Sequence, residues 1–334
     1  MLAQFIIKRS LMIIPLVIAI SIMVFIIIQL PPGDFLTTYI RNLETAGQVV
    51  DIAEAEALRA QFGLDRPGYQ QYLMWVRNII FEGSLGRSFS WNLPVTDVIG
   101  MRLINTLAIS FFTLCFVWGV SIPIGIYSAT HQYSKGDYFF TFVGFIGQAF
   151  PGFLIALIIV YFTFVFTGVA VSGLNSAAFL TEPWGIPRIL DMLPRLFVAI
   201  VIIGLAGTAG MIRTVRAMTL DELGKQYVVT ARAKGVEERK LIYKYPVRMA
   251  INPLISGIGA TLGGLISGET IVSIVLNLPT AGPMMFNALM EQDMFLAGGF
   301  LLIVSIFVVV GTLLSDILLS VLDPRIRFGG VTES

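Results

Sequence analysis

The residues DELGKQYVVTARAKGVEERKLIYKYPVRMAINP, from Asp221 to Pro253, form a polar and basic segment in a chain that is otherwise strongly apolar. This segment, here called the basic insert, holds seven basic and four acidic residues, whereas the 334-residue chain has a formal net charge of only +1. Long apolar blocks flank it on both sides. Because charged residues are costly inside a bilayer, the insert must lie outside the lipid, where another molecule can contact it.

The composition is that of a membrane protein. Hydrophobic residues make up 56% of the chain and charged residues 13%, about half the charged fraction of a soluble domain, and the mean hydropathy is +0.84. The apolar blocks lack the inside/outside alternation of barrel strands, so they predict helices. The chain has a single cysteine, Cys115, which excludes an intrachain disulfide. It has a single histidine, His131, which excludes a histidine-based metal cluster. The predicted fold class is therefore an all-α polytopic membrane protein.

The apolar blocks predict six transmembrane helices in a single transmembrane domain, residues 1–334. The predicted spans are Ser10–Leu30, Leu103–Ala129, Phe139–Phe166, Leu196–Ile212, about Ile255–Leu276, and Ala297–Leu319. Residues 31–102 are polar and are predicted to lie outside the cell membrane, with short helices over Ile52–Phe62 and Tyr69–Phe81. Basic residues concentrate at both termini and in the insert, so the positive-inside rule places all three in the cytoplasm.

One of the predicted spans is interrupted, and another carries a stripe of glycines. Pro151, close to Gln148, falls inside the third span and removes a backbone hydrogen bond, which is tolerated only where protein or water satisfies the freed carbonyl. Such a kink serves either packing or the lining of a translocation path, and both readings stay open. The fourth span carries Gly204, Gly207 and Gly210, a stripe that favours close helix packing over ligand binding.

The basic insert contains a predicted helix with one small face. Val229, Ala233 and Val236 recur at helical spacing, and Thr230, Ala231 and Gly235 keep part of the surface small. A helix of this kind suits the groove of a soluble partner, because small side chains permit close backbone approach. Its basic rim is equally suited to anionic lipid headgroups. Composition alone leaves these two alternatives open.

Particular motifs decide between them. The phrase TARAKG at Thr230–Gly235, followed by Asn252-Pro253, resembles the EAA loop of ABC importer permeases, and in detail the dipeptide/oligopeptide branch of that family. Further phrases of the same branch occur in order along nearly the whole chain: Pro31–Asp34, Phe62–Asp65, Gly83–Ser88, Arg102 with Thr106, and Leu322–Arg325. Their shared order makes the resemblance specific.

The resemblance implies that residues 221–248 form a cytoplasmic coupling loop whose helix seats in a cleft of an ATPase subunit. The implied coupling residues are Tyr227, Val229, Thr230, Ala231, Arg232, Ala233, Lys234 and Gly235. It also implies a second related permease subunit, two ABC ATPase subunits carrying ATP and magnesium, and an external substrate-binding protein. The chain has no phosphate-loop motif of its own, so no cofactor is expected on it and it is not expected to be an enzyme. The expected location is the bacterial inner membrane.

The sequence departs from the family pattern at two places. Val229 stands where the EAA loop usually begins with Glu, and Ser273 stands where many peptide-branch members carry Glu in the fifth span. A carboxylate occurs one turn earlier, at Glu269, on the same helical face. An ionisable group at membrane depth is functional by default. The candidate translocation path is therefore Gln148, Pro151, Glu269 and Ser273.

These departures leave the solute open between a peptide and an oligosaccharide-sized molecule. The alternative function is a self-contained secondary transporter or channel. That class would need internal repeats or several intramembrane charges along a path. Glu269 and Asp316 are nearly the only candidates for such charges, so the importer reading is favoured.

Overall fold

The computed structural model describes residues 2–30, 65–168, 172–180, 182–258, 261, 263–264 and 270–322. Nearly all regular structure in these ranges is helical and no strand occurs in them, which confirms the all-α prediction. Their α-helices, in chain order, are α1 (Leu2–Gln29), α2 (Gly68–Arg77), α3 (Val95–Thr130), α4 (Lys135–Ala149), α5 (Gly152–Thr167), α6 (Ile186–Leu223), α7 (Gln226–Ala233), α8 (Glu238–Lys244), α9 (Pro246–Ser256), α10 (Thr270–Val275), α11 (Ala281–Met290) and α12 (Met294–Leu322).

Four of these helices are long and apolar enough to cross a membrane, namely α1, α3, α6 and α12. Helices α4 and α5 pass the same test only as a pair, and they meet at an angle of 93° at Phe150-Pro151. The predicted interruption of the third span is thus a complete break between two helices. The predicted fifth span includes residues outside the described ranges, so the six-span topology stays a prediction.

Helix boundaries differ from those expected from hydropathy. Helix α6 runs from Ile186 to Leu223, well beyond the predicted Leu196–Ile212 at both ends, and α3 begins at Val95 rather than Leu103. Hydropathy marks the lipid-compatible part of a helix, whereas the hydrogen-bonded helix continues into polar sequence. The helix predicted over Tyr69–Phe81 is confirmed as α2 and a following π-turn, Asn78–Glu82. The one predicted over Ile52–Phe62 lies outside the described residues.

The chain divides into two compact units. One comprises Ile6–Thr106 with Thr280–Val309. In it the buried carboxylate of Asp293 caps α12 by accepting the N–H of Leu296 at 3.1 Å, and it accepts the hydroxyl of Ser88 at 2.6 Å. Ser88, the last residue of the Gly83–Ser88 motif, is thereby anchored to the start of α12. This contact gives a structural role to the serine of the motif.

The other unit comprises Met1–Phe5, Leu107–Pro279 and Val310–Ser334, and contains the basic insert. Helix α6 lies at its centre. A side chain at Gly204 would come within 2.8 Å of Phe116 and one at Gly207 within 3.6 Å of Val117, so both glycines allow α3 to approach closely. The predicted packing role is confirmed for these two. A Cβ at Gly210, in the same stripe, would meet nothing within 4 Å, so this glycine faces open space.

Candidate functional site

The basic insert begins with a clamp at the end of α6. The Glu222 carboxylate accepts a hydrogen bond from the Lys225 ammonium at 2.7 Å and another from the Tyr227 hydroxyl. Partial burial raises the pKa of Tyr227, and the hydrogen bond to Glu222 raises it further, so the phenol stays protonated as a donor. These two bonds fix the direction in which α7 leaves α6.

The inner face of α7 packs on α8. Val228 is completely buried and Ala231 is buried, and both cluster with the fully buried Leu241 of α8. Val236 and Tyr245 pack against the edge of this cluster. The insert therefore has a small hydrophobic core of its own, so α7 and α8 are held as one rigid element.

The turn after α7 is a Schellman motif centred on Gly235. The Gly235 N–H donates to the Arg232 carbonyl at 3.0 Å, and the Val236 N–H donates to the Ala231 carbonyl at 3.3 Å. Gly235 has a φ of +78°, a conformation that glycine adopts without strain. Val236 then turns inward to Ala231, the apolar contact usual in this motif. The glycine of TARAKG is thus required by the geometry of the turn.

An ion pair closes the same turn on the solvent side. The Arg232 guanidinium donates to the Glu238 carboxylate from Nε at 3.0 Å and from Nη2 at 2.6 Å. This bidentate pairing lowers the pKa of Glu238 and raises that of Arg232. Both side chains remain about half exposed, so the pair orients the turn rather than supplying a core.

The outer face of α7 is open and made of small residues. Val229 is 48% exposed, and Thr230, Ala233 and Lys234 are exposed as well. The Thr230 hydroxyl donates a hydrogen bond of 2.9 Å to the Gln226 carbonyl, so its hydrogen is used within the helix. Of the predicted small face, Val229 and Ala233 are exposed together, while Val236 and Ala231 turn into the insert core. The surface open to a partner is correspondingly narrow.

Helix α9 connects the insert to the spans. A single residue, Tyr245, separates it from α8. Its Val247 and Leu254 pack with Val215 of α6 and Ile126 of α3. At the same end of this unit, Arg216 of α6 makes two hydrogen bonds of 2.9 and 2.8 Å to the buried carboxylate of Asp137. Helix α9 therefore packs directly on α6 and α3.

Two of the predicted path residues, Gln148 and Pro151, flank the break between α4 and α5. Gln148 is exposed and accepts a hydrogen bond from Arg213, and Pro151 is exposed and precedes α5. A side chain at Gly152 would lie 3.4 Å from Val272, the neighbour of Ser273. Ser273 is fully buried, and its hydroxyl has no hydrogen-bond partner among the described residues.

The structure therefore brings the break and the helix of Ser273 together. Glu269 lies outside the described residues, so its role in the path stays a prediction.

Three functional side chains were not singled out by the sequence. Leu241 stands ten residues after Ala231, beyond the reach of a helical repeat, so its place in the insert core had no local signal. Glu238 had a weak local signal, because it is an acidic residue that follows the basic end of a helix and an intervening glycine. Arg213 had no local signal, because its contact with Gln148 joins residues far apart in the chain.

The chain has several apolar spans, one of which is broken into two helices, and a folded basic insert lies between two of the spans. This is the architecture of a membrane transport subunit. The chain belongs to the family described as "binding-protein-dependent transport system inner membrane component", whose model matches residues 121–328. The corresponding N-terminal model matches residues 1–110. The two matches together span nearly the whole chain and confirm the family that the sequence motifs indicate.

Curated relatives of similar length carry transport names. The chain is 33% identical to the oligopeptide transport system permease protein AppB of Bacillus subtilis, over 98% of this chain and 100% of the relative. It is 28% identical to the dipeptide transport system permease protein DppB of Escherichia coli K12, over 97% and 98%. It is also 28% identical to the glutathione transport system permease protein GsiC of Escherichia coli O6:H1, over 97% and 99%.

Proposed function

We propose that this chain is a transmembrane permease subunit of an ATP-driven importer, and that α7 couples it to an ATPase subunit. The observation that carries the proposal is the outer face of α7, where Val229, Thr230 and Ala233 are exposed on a helix fixed by its own core. A small, rigid, partly apolar face permits close approach of a partner groove. A helix lying on lipid would instead present large apolar side chains at this face.

The contacts of the insert give a route for the coupling. A force applied to α7 reaches α8 through Val228 and Leu241, because these side chains are fully buried together. From α8 it passes to α9, whose Val247 and Leu254 pack with α6. Motion of the ATPase subunits would thus be delivered to the spans as a rigid-body displacement, since a packed core resists continuous deformation.

The solute proposed is a peptide. The relatives named above are called oligopeptide, dipeptide and glutathione permeases, and all of these solutes contain amino-acid units. An oligosaccharide-sized solute has no corresponding relative among these. The path would run past the helix break at Gln148 and Pro151 and past Ser273, with Glu269 as the candidate intramembrane carboxylate.

The remaining parts of the system would be separate chains. They are a second related permease subunit, two ABC ATPase subunits that bind ATP and magnesium, and an external substrate-binding protein. The chain would sit in a bacterial inner membrane with both termini and the basic insert in the cytoplasm, in agreement with the clustering of its basic residues. No cofactor is assigned to this chain.

The test is peptide uptake into proteoliposomes that hold the full complex with its binding protein and internal ATP. Ala233→Gln places a long, uncharged, helix-compatible side chain on the outer face of α7 and is expected to lower uptake at least tenfold. Ala233→Ser keeps the face small and is the matched control, expected to retain uptake. Equal uptake by both variants would contradict docking at this face, and uptake by the wild type without ATPase subunits would favour the secondary-transporter alternative.

A further inference from the structure

Helices α4 and α6 run antiparallel, and their register is fixed by close contacts. Asp137 pairs with Arg216, a side chain at Gly144 would lie 3.9 Å from Ala209, and one at Gly147 would lie 3.3 Å from Leu205. Gln148 is therefore level with the part of α6 near Leu205. That level is the middle of the apolar run Leu196–Ile212, about 12 Å along α6 from Arg213.

The side chains of Arg213 and Gln148 span this distance together. Side chains on a helix lean toward its N-terminus, so in this antiparallel pair Arg213 leans toward the middle of the run and Gln148 leans to meet it. The guanidinium donates from Nη2 to the Gln148 side-chain carbonyl. It also lies over the Phe145 ring at 5.4 Å from the centroid. The positive charge is thereby held beside the last turn of α4, which precedes the helix break, and within the apolar run Leu196–Ile212.

This charge is not covered by the unit that carries it. Arg213, Gln148 and Phe145 are all exposed in the chain. An exposed guanidinium at this depth would be costly against lipid tails, and such residues face protein or a water-filled cavity instead. A long side chain at the end of a span usually turns toward the aqueous interface, and Arg213 turns the other way.

We propose that Arg213 and Gln148 form a carboxylate-binding site on the translocation path, which takes the C-terminal carboxylate of a peptide in transit. The inference rests on the proposed import of peptides. A guanidinium has five N–H donors in a fork that matches a carboxylate, and one hydrogen bond to Gln148 leaves the rest of that fork available. The Gln148 amide adds two further donors. Arg213 is thus oriented by its contact with Gln148 and stays open to a second, charged acceptor.

The site also has a fitting border. Phe145 and Phe150 are exposed beside it, with 52% and 49% of their surfaces open, so apolar surface flanks the two polar groups. A peptide presents the same combination, one terminal charge next to side chains of varied polarity. Contact with the terminal carboxylate requires no particular side chain, so the site would accept peptides of many sequences.

The test compares trialanine with its C-terminal amide as solutes for proteoliposomes containing the full complex, binding protein and ATP. Binding of both solutes to the external protein is measured first, and uptake is measured with that protein saturated. The wild type is expected to import the free acid faster than the amide. Arg213→Gln is expected to lower free-acid uptake about tenfold or more, as loss of a hydrogen bond to a charged group implies, and to abolish the difference between the solutes.

Two further variants and three contradicting outcomes make the result decisive. Arg213→Lys keeps the charge and is expected to retain part of the preference, and Lys135→Gln removes an exposed charge at the far end of α4 and is expected to change nothing. An unchanged free-acid preference in Arg213→Gln would overturn the inference. So would loss of the second permease subunit from purified Arg213→Gln, because Arg213 would then be an interface residue. Wild-type vesicles that import neither solute would contradict the proposed function itself, and the inference with it.

Discussion

The guanidinium of Arg232 donates two hydrogen bonds, of 3.0 and 2.6 Å, to the carboxylate of Glu238, and this pair bridges the turn that joins α7 to α8. Both side chains of the pair are about half exposed, whereas Val228 and Leu241, which join the same two helices, are buried. The turn is thus held by both contacts. This arrangement gives α7 a fixed orientation although it is a helix of only eight residues, too short to be stable alone.

The ion pair predicts a pH dependence of this turn. Pairing lowers the pKa of Glu238 below its ordinary 4.5, so the pair stabilises the turn above that pH and the contribution is lost as pH falls through the lowered value. Amide exchange over residues 233–237, corrected for intrinsic rates, should therefore rise on acidification. Glu238→Gln should exchange faster than the wild type at neutral pH and show no such rise. A pH response retained in that variant would assign the effect to another group.

Substitution of Gly235 should be costly because of its backbone conformation alone. A Cβ there meets nothing within 4 Å, but φ is +78°, so Gly235→Ala should destabilise the turn by about 1–2 kcal/mol. Gly235→Asn should cost less, since asparagine tolerates this conformation. Thermal unfolding of the purified complex and exchange at the end of α7 measure the difference. Identical behaviour of the alanine and asparagine variants would contradict the Schellman turn.

A charge at the same position separates folding from docking. Gly235→Asp matches Gly235→Asn in shape and adds one negative charge at the exposed end of α7. We expect both proteins to remain in the membrane, and only the aspartate variant to hydrolyse ATP without peptide uptake. If the aspartate variant transported peptide normally with intact coupling, the docking role of this end of α7 would be refuted.

Truncation of Leu241 should loosen the insert while leaving the spans in place. Its side chain is fully buried between α7 and α8, so Leu241→Ala should cost about 2–4 kcal/mol locally. Exchange should increase across both helices and uptake should fall. Tyr243→Ala, at a side chain that is 57% exposed, is the control and should do neither. Unchanged exchange in Leu241→Ala would show that α7 is held by something other than this core.

The glycine stripe of α6 predicts two effects of opposite sign. Gly204→Ala would place a methyl 2.8 Å from Phe116, and overpacking of this kind costs about 1–3 kcal/mol. Gly210→Ala meets nothing within 4 Å and should raise stability by up to about 1 kcal/mol, because alanine is the better helix former. The unfolding temperatures of the two purified variants should move in opposite directions. A shift of the same sign in both would contradict the described approach of α3 to α6.

Much of the fold was predictable because lipid imposes simple rules. Apolar length located the spans formed by α1, α3, α6 and α12, and a proline located the break between α4 and α5, since both signals are local in sequence. The angle of 93° at that break was not predictable, because it depends on what packs against α5. The ends of α6 were also missed, because a helix continues wherever its backbone bonds are satisfied, whatever the hydropathy of its residues.

The candidate site divides in the same way. The motif Thr230–Gly235 marked the end of α7, and helical spacing placed Val229 and Ala233 on one face of it. The burial of Ala231 and the pairings of Arg232 and Arg213 required the structure, because each depends on a residue from another helix. Helical periodicity reports which residues share a face, and it does not report which of two faces meets the core.

The central claim is that the outer face of α7 binds an ATPase subunit. The most direct measurement is the labelling of single cysteines, Val229→Cys and Ala233→Cys, in a Cys115→Ser background by a hydrophilic maleimide. Both sites should react readily in the permease complex without ATPase subunits and be protected at least tenfold when these subunits are bound. Lys240→Cys, an exposed position on α8, should react equally in both states. Labelling of Val229→Cys and Ala233→Cys at the same rate with and without the ATPase subunits would contradict the account.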